Sequence, residues 1–291
     1  MAGSVAVTGA NGYVGSSIAR SLEEQGLGVV RLQRSGQGDA VRRFALGEPV
    51  DPTVFQGVSS LVHCAYDFNA AGWLDIERAN VTGSLDLFQA ARDAGVQTII
   101  FISSMSAFEG CRSMYGRAKL EVEQRAQPLG VYSVRPGLVY GKESGGMIAA
   151  LSKLLGLPLI TPLVGSGSQV LYLVHDADLG QMIGELCTGA KQLRGRPVIA
   201  ANSRPFTFKS ILGVLARRDG VKKAFVPVPW QLEWLALKSA ELVGLRMRLR
   251  SDSLVSLINQ DPNPDFSGSS QFSFRDFEDF TLGQDRSPAA V

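Results

Sequence analysis

The 291-residue sequence predicts an α/β fold, a doubly wound parallel sheet with a smaller C-terminal lobe. From Val5 to Arg135, apolar β-branched runs alternate with segments of helical length, the pattern of a parallel sheet covered by helices on both faces. The run Ile99-Ile100-Phe101-Ile102 is apolar at every position instead of every second one, as a strand buried on both sides requires. A glycine-rich turn stands between the first apolar run and the first helical segment.

The elements follow in chain order. Strands are expected at Val5–Thr8, Val29–Leu32, Ser60–His63, Thr98–Ser103 and Tyr132–Val134, and helices at Val14–Gln25, Asn80–Asp93 and Met114–Ala126. Gly26 and Gly95 follow two of these helices as C-terminal stops. Beyond Arg135-Pro136-Gly137 glycines and prolines interrupt the pattern. A strand at Val170–Val174, an amphipathic segment at Asp176–Cys187, a strand at Val198–Ala200 and helices at Thr207–Arg218 and Trp230–Gly244 are expected there. Asp261 to Val291 reads as an irregular, surface-wrapping tail. Residues 1–140 are therefore expected to form the main lobe, with strands returning from about 165–203, and residues 141–291 mainly the second lobe and the tail.

Composition narrows the function classes. A net charge of +2 gives no electrostatic reason for a nucleic-acid partner. The cysteines Cys64, Cys111 and Cys187 lie far apart with no ligand-spaced histidine, which argues against zinc and against a disulfide framework. No basic region with an apolar stretch precedes Ser4, and Met147–Val164, the most apolar stretch, is interrupted by Lys153, Pro158 and Pro162. The expectation is a cytoplasmic protein without a membrane span. The helix at Trp230–Gly244 carries an apolar stripe of Trp230, Trp234, Leu235, Leu242 and Leu245 with Lys238 beside it, which reads as a core-facing helix.

The turn reads Thr8-Gly9-Ala10-Asn11-Gly12-Tyr13-Val14-Gly15. One glycine permits the tight turn, one lets the backbone approach a pyrophosphate, and one lets helix and strand pack closely. A helix start presents amide donors to that pyrophosphate. This GxxGxxG spacing resembles the signature of the extended short-chain dehydrogenase/reductase superfamily, whose members have a Rossmann-type fold, are epimerase/dehydratase-like and use NAD(P). The resemblance implies cofactor contacts from Gly9, Asn11, Gly12, Tyr13, Val14 and Gly15.

The second strand ends in Gln33-Arg34-Ser35. An acid usually stands here in NAD-binding relatives, to accept the ribose hydroxyls. Without one, Arg34 is placed to bind a 2′-phosphate together with Ser35, so NADP is the expected cofactor and NAD the alternative. Glu48 occupies the place of the family's adenine-contacting acid, although Pro49 after it has no amide hydrogen to offer.

Tyr115-Gly116-Arg117-Ala118-Lys119 puts a phenol and an ammonium one helical turn apart on one face. Ser103-Ser104-Met105-Ser106 ends the preceding strand, at the sheet edge where such folds bind ligands. By the family pattern, Ser104 hydrogen-bonds the substrate oxygen, Tyr115 transfers the proton, and Lys119 holds the nicotinamide ribose and tunes the phenol, with Ser103 and Ser106 as alternatives to Ser104. Cys64, Ala65 and Tyr66 follow His63 in a segment similar to the family's HxAA, whose backbone lines the cofactor. Asn80-Val81-Thr82-Gly83-Ser84 resembles a family helix start in which the asparagine is structural. Arg135-Pro136-Gly137-Leu138-Val139-Tyr140-Gly141 resembles the stretch that closes over the nicotinamide, which gives Pro136 a cofactor contact. Val174-His175-Asp176 resembles the point where the chain re-enters the nucleotide lobe.

Met105 and Ser106 stand where sugar dehydratases of this family carry an Asp-Glu pair, which argues against dehydration. The resemblance implies hydride transfer at a carbonyl or hydroxyl carbon, by a reductase or epimerase acting on a nucleotide sugar or a similar polyhydroxylated small molecule. It also implies a homodimer paired through the Tyr115 helix. The alternative is a dinucleotide-binding sensor or assembly protein that keeps the fold without turnover.

Overall fold

The computed structural model describes residues 3–281, apart from 37, 39, 71, 142–144, 157–159, 194 and 244–249. The main sheet is built from β1 (Ser4–Thr8), β2 (Val29–Gln33), β3 (Val41–Arg43), β4 (Val58–His63), β5 (Thr98–Ile102), β6 (Tyr132–Pro136) and, far along the chain, β11 (Val198–Ala200). Their order is β11-β6-β5-β4-β1-β2-β3. Every pairing in it is parallel. The order reverses direction between β1 and β4, the switch point at which open α/β sheets bind ligands.

Side-chain alternation divides the core into two layers. Val5, Val7, Ile100 and Ile102 face α1 (Tyr13–Glu24) and α6 (Asp176–Cys187) through Ile18, Leu22, Leu179 and Ile183. Ala6, Ile99 and Phe101 face α3 (Gly83–Asp93) and α4 (Met114–Ala126) through Leu87, Phe88, Ala118 and Val122. Each buried Leu or Ile contributes roughly 1.5–3 kcal/mol of transfer free energy, so these layers set the rigidity of the sheet edge. A Cβ at Gly180 would lie 2.3 Å from Cβ of Ser21, so α6 seats against α1 only because that position is bare.

The C-terminal lobe has its own core of Ile148, Leu151, Leu163, Phe208, Ile211, Leu215 and Phe277. It is assembled from α5 (Gly146–Leu155), β8 (Ile160–Val164), α7 (Phe208–Arg218), β13 (Ala224–Val228), α8 (Trp230–Leu242) and α9 (Ser251–Ile258), with β8 and β13 paired in parallel. Here β7 is Leu138–Tyr140, β9 is Val170–Leu171, β10 is Leu173–His175 and β12 is Phe206–Thr207.

Several elements differ from the sequence expectation. The single strand expected at Val170–Val174 is two: β9 pairs with β12 and β10 with β7, so the break at Tyr172 lets one run serve two partners. The helix expected from Asn80 starts at Trp73 (α2, Trp73–Ile76) and continues through a π-helical stretch, Glu77–Thr82, into α3. The tail is irregular but not merely superficial: Phe277 is buried in the second core, and Arg275 makes an ion pair with Asp178 of α6 at 2.7 Å. Residues 282–291 of that tail lie outside the described residues. The core-facing reading of the helix at Trp230 is wrong in the main. Within α8 Leu237 alone is buried, and Leu232, Leu235 and Leu242 are 60%, 56% and 79% exposed. Its leucines recur on more than one side of the helix, so packing one side against the lobe leaves the others in solvent. Gly244 and Leu245 lie outside the described residues.

Candidate active site

Because the main strands are parallel, the segments after Thr8, Gln33, His63, Ile102 and Pro136 emerge on one edge. The glycine turn occupies the middle of that edge. Gly9 has φ +64°, and a Cβ there would lie 2.8 Å from the Ala65 nitrogen across the switch point. A Cβ at Gly15 would lie 2.3 Å from the Gly9 carbonyl oxygen. Gly12 is the N-cap of α1 and has no side chain to cap it, and the first turn carries no acid. The turn thus combines close backbone approach with a positive helix end, and this is the bare, donor-rich cradle that a pyrophosphate fits. Asn11 and Gly12 are exposed, Tyr13 and Val14 half-buried. The Tyr13 ring leans on the second lobe: a Cβ at Gly145 would lie 2.1 Å from it.

The segment Cys64–Tyr66 is fixed by a buried polar relay. The Thr8 hydroxyl oxygen accepts from the amides of Cys64 and Ala65, both at 3.1 Å. Its proton is therefore left for Nδ1 of His63, 2.7 Å away. Nε2–H of His63 donates to the Ser84 hydroxyl at 2.9 Å, and Ser84 donates to the Asn80 carbonyl at 2.5 Å. Asn80 in turn accepts from the Asp67 amide at 2.6 Å and donates to the Asp67 carbonyl at 3.1 Å. His63 is fully buried, and burial together with the charge of Lys119 holds its pKa down at about 3, so the imidazole is neutral. Asn80 and His63 are structural parts of this edge.

Ser104, Tyr115 and Lys119 come together beside that relay. Of the three serines, Ser104 is the one whose side chain favours the charged form of the Tyr115 phenol, and its oxygen accepts from the Ser106 amide at 3.1 Å. Ser103 is buried and Ser106 half-buried. The Lys119 ammonium donates to the Ile102 carbonyl at 2.8 Å and lies 5.8 Å from the centre of the Tyr115 ring. Burial lowers its pKa to about 8, against the opposing pull of Cys64 and Glu123. Burial likewise pushes the Tyr115 phenol up to about 12, which Ser104 partly offsets. The Cys64 thiol rises to about 12 and stays protonated at neutral pH. Glu123, one turn beyond Lys119, holds Arg135 of β6 at 2.8 and 2.5 Å and so fixes α4 against the sheet. A Cβ on Gly116 would lie 2.2 Å from the Ser106 carbonyl oxygen, which makes that glycine the condition for the approach of α4 to the serine loop.

An aromatic wall faces the phenol. The Tyr66 ring meets Tyr115 edge-on at 4.9 Å, and Phe68 stacks on it at 6.0 Å while remaining 57% exposed. Burial and the nearby Tyr115 and Asp252 raise the Tyr66 phenol further above its ordinary range.

The remaining sequence candidates lie further out on the edge. Arg34 and Ser35 are exposed just beyond β2. Glu48 makes an exposed ion pair with Arg43 at 2.8 Å. Pro136 is buried at the end of β6, where its carbonyl accepts from the Met105 amide at 3.2 Å. His175 caps α6, its Nδ1 accepting from the Ala177 amide at 3.1 Å. The sequence reading missed Phe68, Gly116 and Asp252. The Asp252 carboxylate accepts the amides of Met114 and Tyr115, and no local pattern points from residue 252 to residue 115. Gly116, inside the Tyr-x-x-x-Lys spacing, was visible as a bare helical position. Among the described residues no group of three metal-ligating side chains occurs, and no helix is long and apolar enough to cross a membrane.

Residues 5–191 match the model of the NAD dependent epimerase/dehydratase family. The chain belongs to that family. It is 28% identical over 191 residues to a UDP-glucose 4-epimerase of Vibrio cholerae, a match covering 54% of this chain and 58% of that protein's length. It is 24% identical to a 4-hydroxy-2-methyl-3-oxo-4-farnesyl-3,4-dihydroquinoline-1-oxide ketoreductase of Stigmatella aurantiaca, over 77% of this chain and 76% of that one. Among solved structures, the fold matches the UDP-glucose 4-epimerase of Thermus thermophilus in complex with NAD, with a TM-score of 0.61 at 22% identity, covering 87% of this chain and 96% of that one. The fold described above is thus shared with a solved UDP-glucose 4-epimerase.

Proposed function

We propose that the chain is an NAD(P)-dependent oxidoreductase that reduces a carbonyl group with a Ser104-Tyr115-Lys119 site. The reading rests on one observation: the Lys119 ammonium lies 5.8 Å from the centre of the Tyr115 ring, with Ser104 beside the phenol, at the edge that also carries the glycine cradle. Gly9, Gly12, Gly15 and the amides opening α1 would hold the pyrophosphate, Cys64, Ala65, Tyr66 and Pro136 would line the nicotinamide side, and Lys119 would meet the ribose. The bound nicotinamide supplies the hydride. Ser104 orients the substrate oxygen, Tyr115 delivers the phenolic proton to it, and the Lys119 charge favours the phenolate that is left.

Arg34 and Ser35, with Gln33 in place of an acid, support NADP over NAD, and Glu48 would lie near the adenine. NADPH is the commoner reducing pool, so reduction is favoured over epimerisation. Met105 and Ser106 cannot act as acid and base near neutrality, which disfavours dehydration. The relatives' names support a nucleotide sugar or a similar hydroxylated ketone as substrate. The exposed Phe68 and the Tyr66 ring against Tyr115 favour a second reading, a carbonyl compound with an apolar arm.

The test is consumption of NADPH or NADH at 340 nm with two panels, nucleotide keto-sugars and aryl or alkyl ketones. Wild-type turnover that Tyr115→Phe abolishes is expected. A Tyr115→Phe variant as fast as wild type overturns the reading, and tight cofactor binding with no turnover on either panel favours a sensor.

A further inference from the structure

The first turn of α4 is capped from two sides. Ser113, its N-cap, accepts the Gly116 amide at 3.0 Å through its hydroxyl. The two amides before that one, which Ser113 does not reach, go to the other lobe: Asp252 of α9 accepts from Met114 at 2.8 Å through Oδ1 and from Tyr115 at 3.0 Å through Oδ2. A carboxylate shared between two amides at a helix start joins charge-assisted hydrogen bonds to a favourable helix dipole. The second of those amides belongs to the residue whose phenol stands against Ser104.

The helix that supplies Asp252 is itself held at its start. Glu241 of α8 accepts from the Ser251 amide and from the Ser251 hydroxyl, both at 2.8 Å. Arg250, just before α9, donates to the carbonyl of Phe68, whose ring stacks on Tyr115. At the other end of α9, Asn259 accepts the Arg112 amide at 2.9 Å. One short helix of the C-terminal lobe therefore holds the backbone under the phenol and the loop that walls it.

We infer that Asp252 is a positioning residue for Tyr115: its carboxylate takes the two amides that open α4 and so sets the phenol at the reach of Ser104. The inference rests on the reading of Tyr115 as proton donor. A displacement of about 1 Å at a reacting group is enough to cost on the order of a hundredfold in rate.

The experiment uses the full chain with Asp252→Ala, Asp252→Asn and Asn259→Ala. Asn259 docks the same helix but touches no amide of α4, so it reports what docking alone contributes. Two readouts are taken: kcat and KM on the best carbonyl substrate of the two panels, and the ring resonances of Tyr115 in protein labelled with 13C-tyrosine, assigned by Tyr115→Phe. Asp252→Ala is expected to lower kcat by about tenfold or more, to change KM by less than about threefold, and to shift the Tyr115 resonance. Asp252→Asn, which keeps one acceptor oxygen, is expected to recover part of the rate, and it carries the test if the alanine variant does not fold. Asn259→Ala is expected to leave kcat and the resonance near wild type. An unmoved Tyr115 resonance in Asp252→Ala overturns the inference, as does an equal loss of kcat in Asn259→Ala. If wild type turns over neither panel, the proposed function fails, and the resonance alone decides the role of Asp252.

Discussion

The Thr8 hydroxyl lies 2.7 Å from Nδ1 of His63 and ties the end of β1 to the end of β4 across the switch point. The same oxygen accepts two amides of the segment assigned to the nicotinamide side. Thr8→Val keeps the shape and removes the hydroxyl, which leaves a buried imidazole nitrogen and two amides without this partner. A loss of about 1–3 kcal/mol is expected, read as a fall of several degrees in Tm, together with weaker cofactor binding by fluorescence titration. His63 adds an acid limb. Its native pKa of about 3 lies below the unfolded value of about 6.5, so stability it contributes is complete above that value and drains away as pH falls from there toward 3. A His63→Asn variant with the same acid limb as wild type would refute this assignment.

Gly116 is a tight joint of the candidate site, with no room for a methyl group beside the Ser106 carbonyl. Gly116→Ala is expected to push α4 away from the serine loop and to lower kcat by about tenfold or more, while NADPH affinity falls less, because the pyrophosphate cradle lies on other elements and of the proposed cofactor contacts only Lys119 moves with α4. Stopped-flow turnover and a cofactor titration measure the two separately; a fall in affinity with kcat preserved would contradict the prediction.

What the sequence revealed and what it concealed divide along a physical line. The main sheet, the glycine turn and α4 were legible because each is set by local periodicity and by glycines whose bare Cα positions are needed at Gly9 and Gly15. β3 and the start at Trp73 were missed because a three-residue strand and a π-helical stretch carry little periodic signal. The exposure of α8 was misjudged because hydrophobicity identifies an apolar helix but not how many of its sides find a neighbour. Asp252 was invisible because the amides it accepts are 138 and 137 residues away, and its position beside Ser251 reads as an ordinary acid in the first turn of its own helix.

Arg34 is exposed at the end of β2, where no acid opposes it at Gln33 or Ser35. If it meets a 2′-phosphate, Arg34→Glu removes a charge-assisted pair and adds repulsion. NADPH affinity is then expected to fall by about ten- to a hundredfold, with NADH affinity unchanged or improved. Parallel titrations with the two cofactors read the ratio directly, and equal effects on both would identify Arg34 as a solvated surface cation.

Lys119 gives stability and activity opposite slopes with pH. Its ammonium ionises near 8 in the fold and near 10.4 in an unfolded chain. Between those values the unfolded chain binds more protons, so this group makes the protein more stable as pH rises, by at most about 1.4 kcal/mol per unit. Cys64 and Cys187, both pushed up to about 12 by burial, act in the other direction over part of the same range. The informative quantity is therefore the difference between wild type and Lys119→Met in denaturant unfolding at pH 7 to 10. That difference is expected to favour the variant most near pH 7 and to shrink toward pH 10. Activity runs the other way, because the phenol loses its cationic neighbour: kcat/KM of wild type is expected to fall above about pH 8, while Lys119→Met is slow at every pH. A stability difference that does not change with pH would show that the buried ammonium keeps its ordinary pKa, and the proposed tuning of Tyr115 would lose its basis.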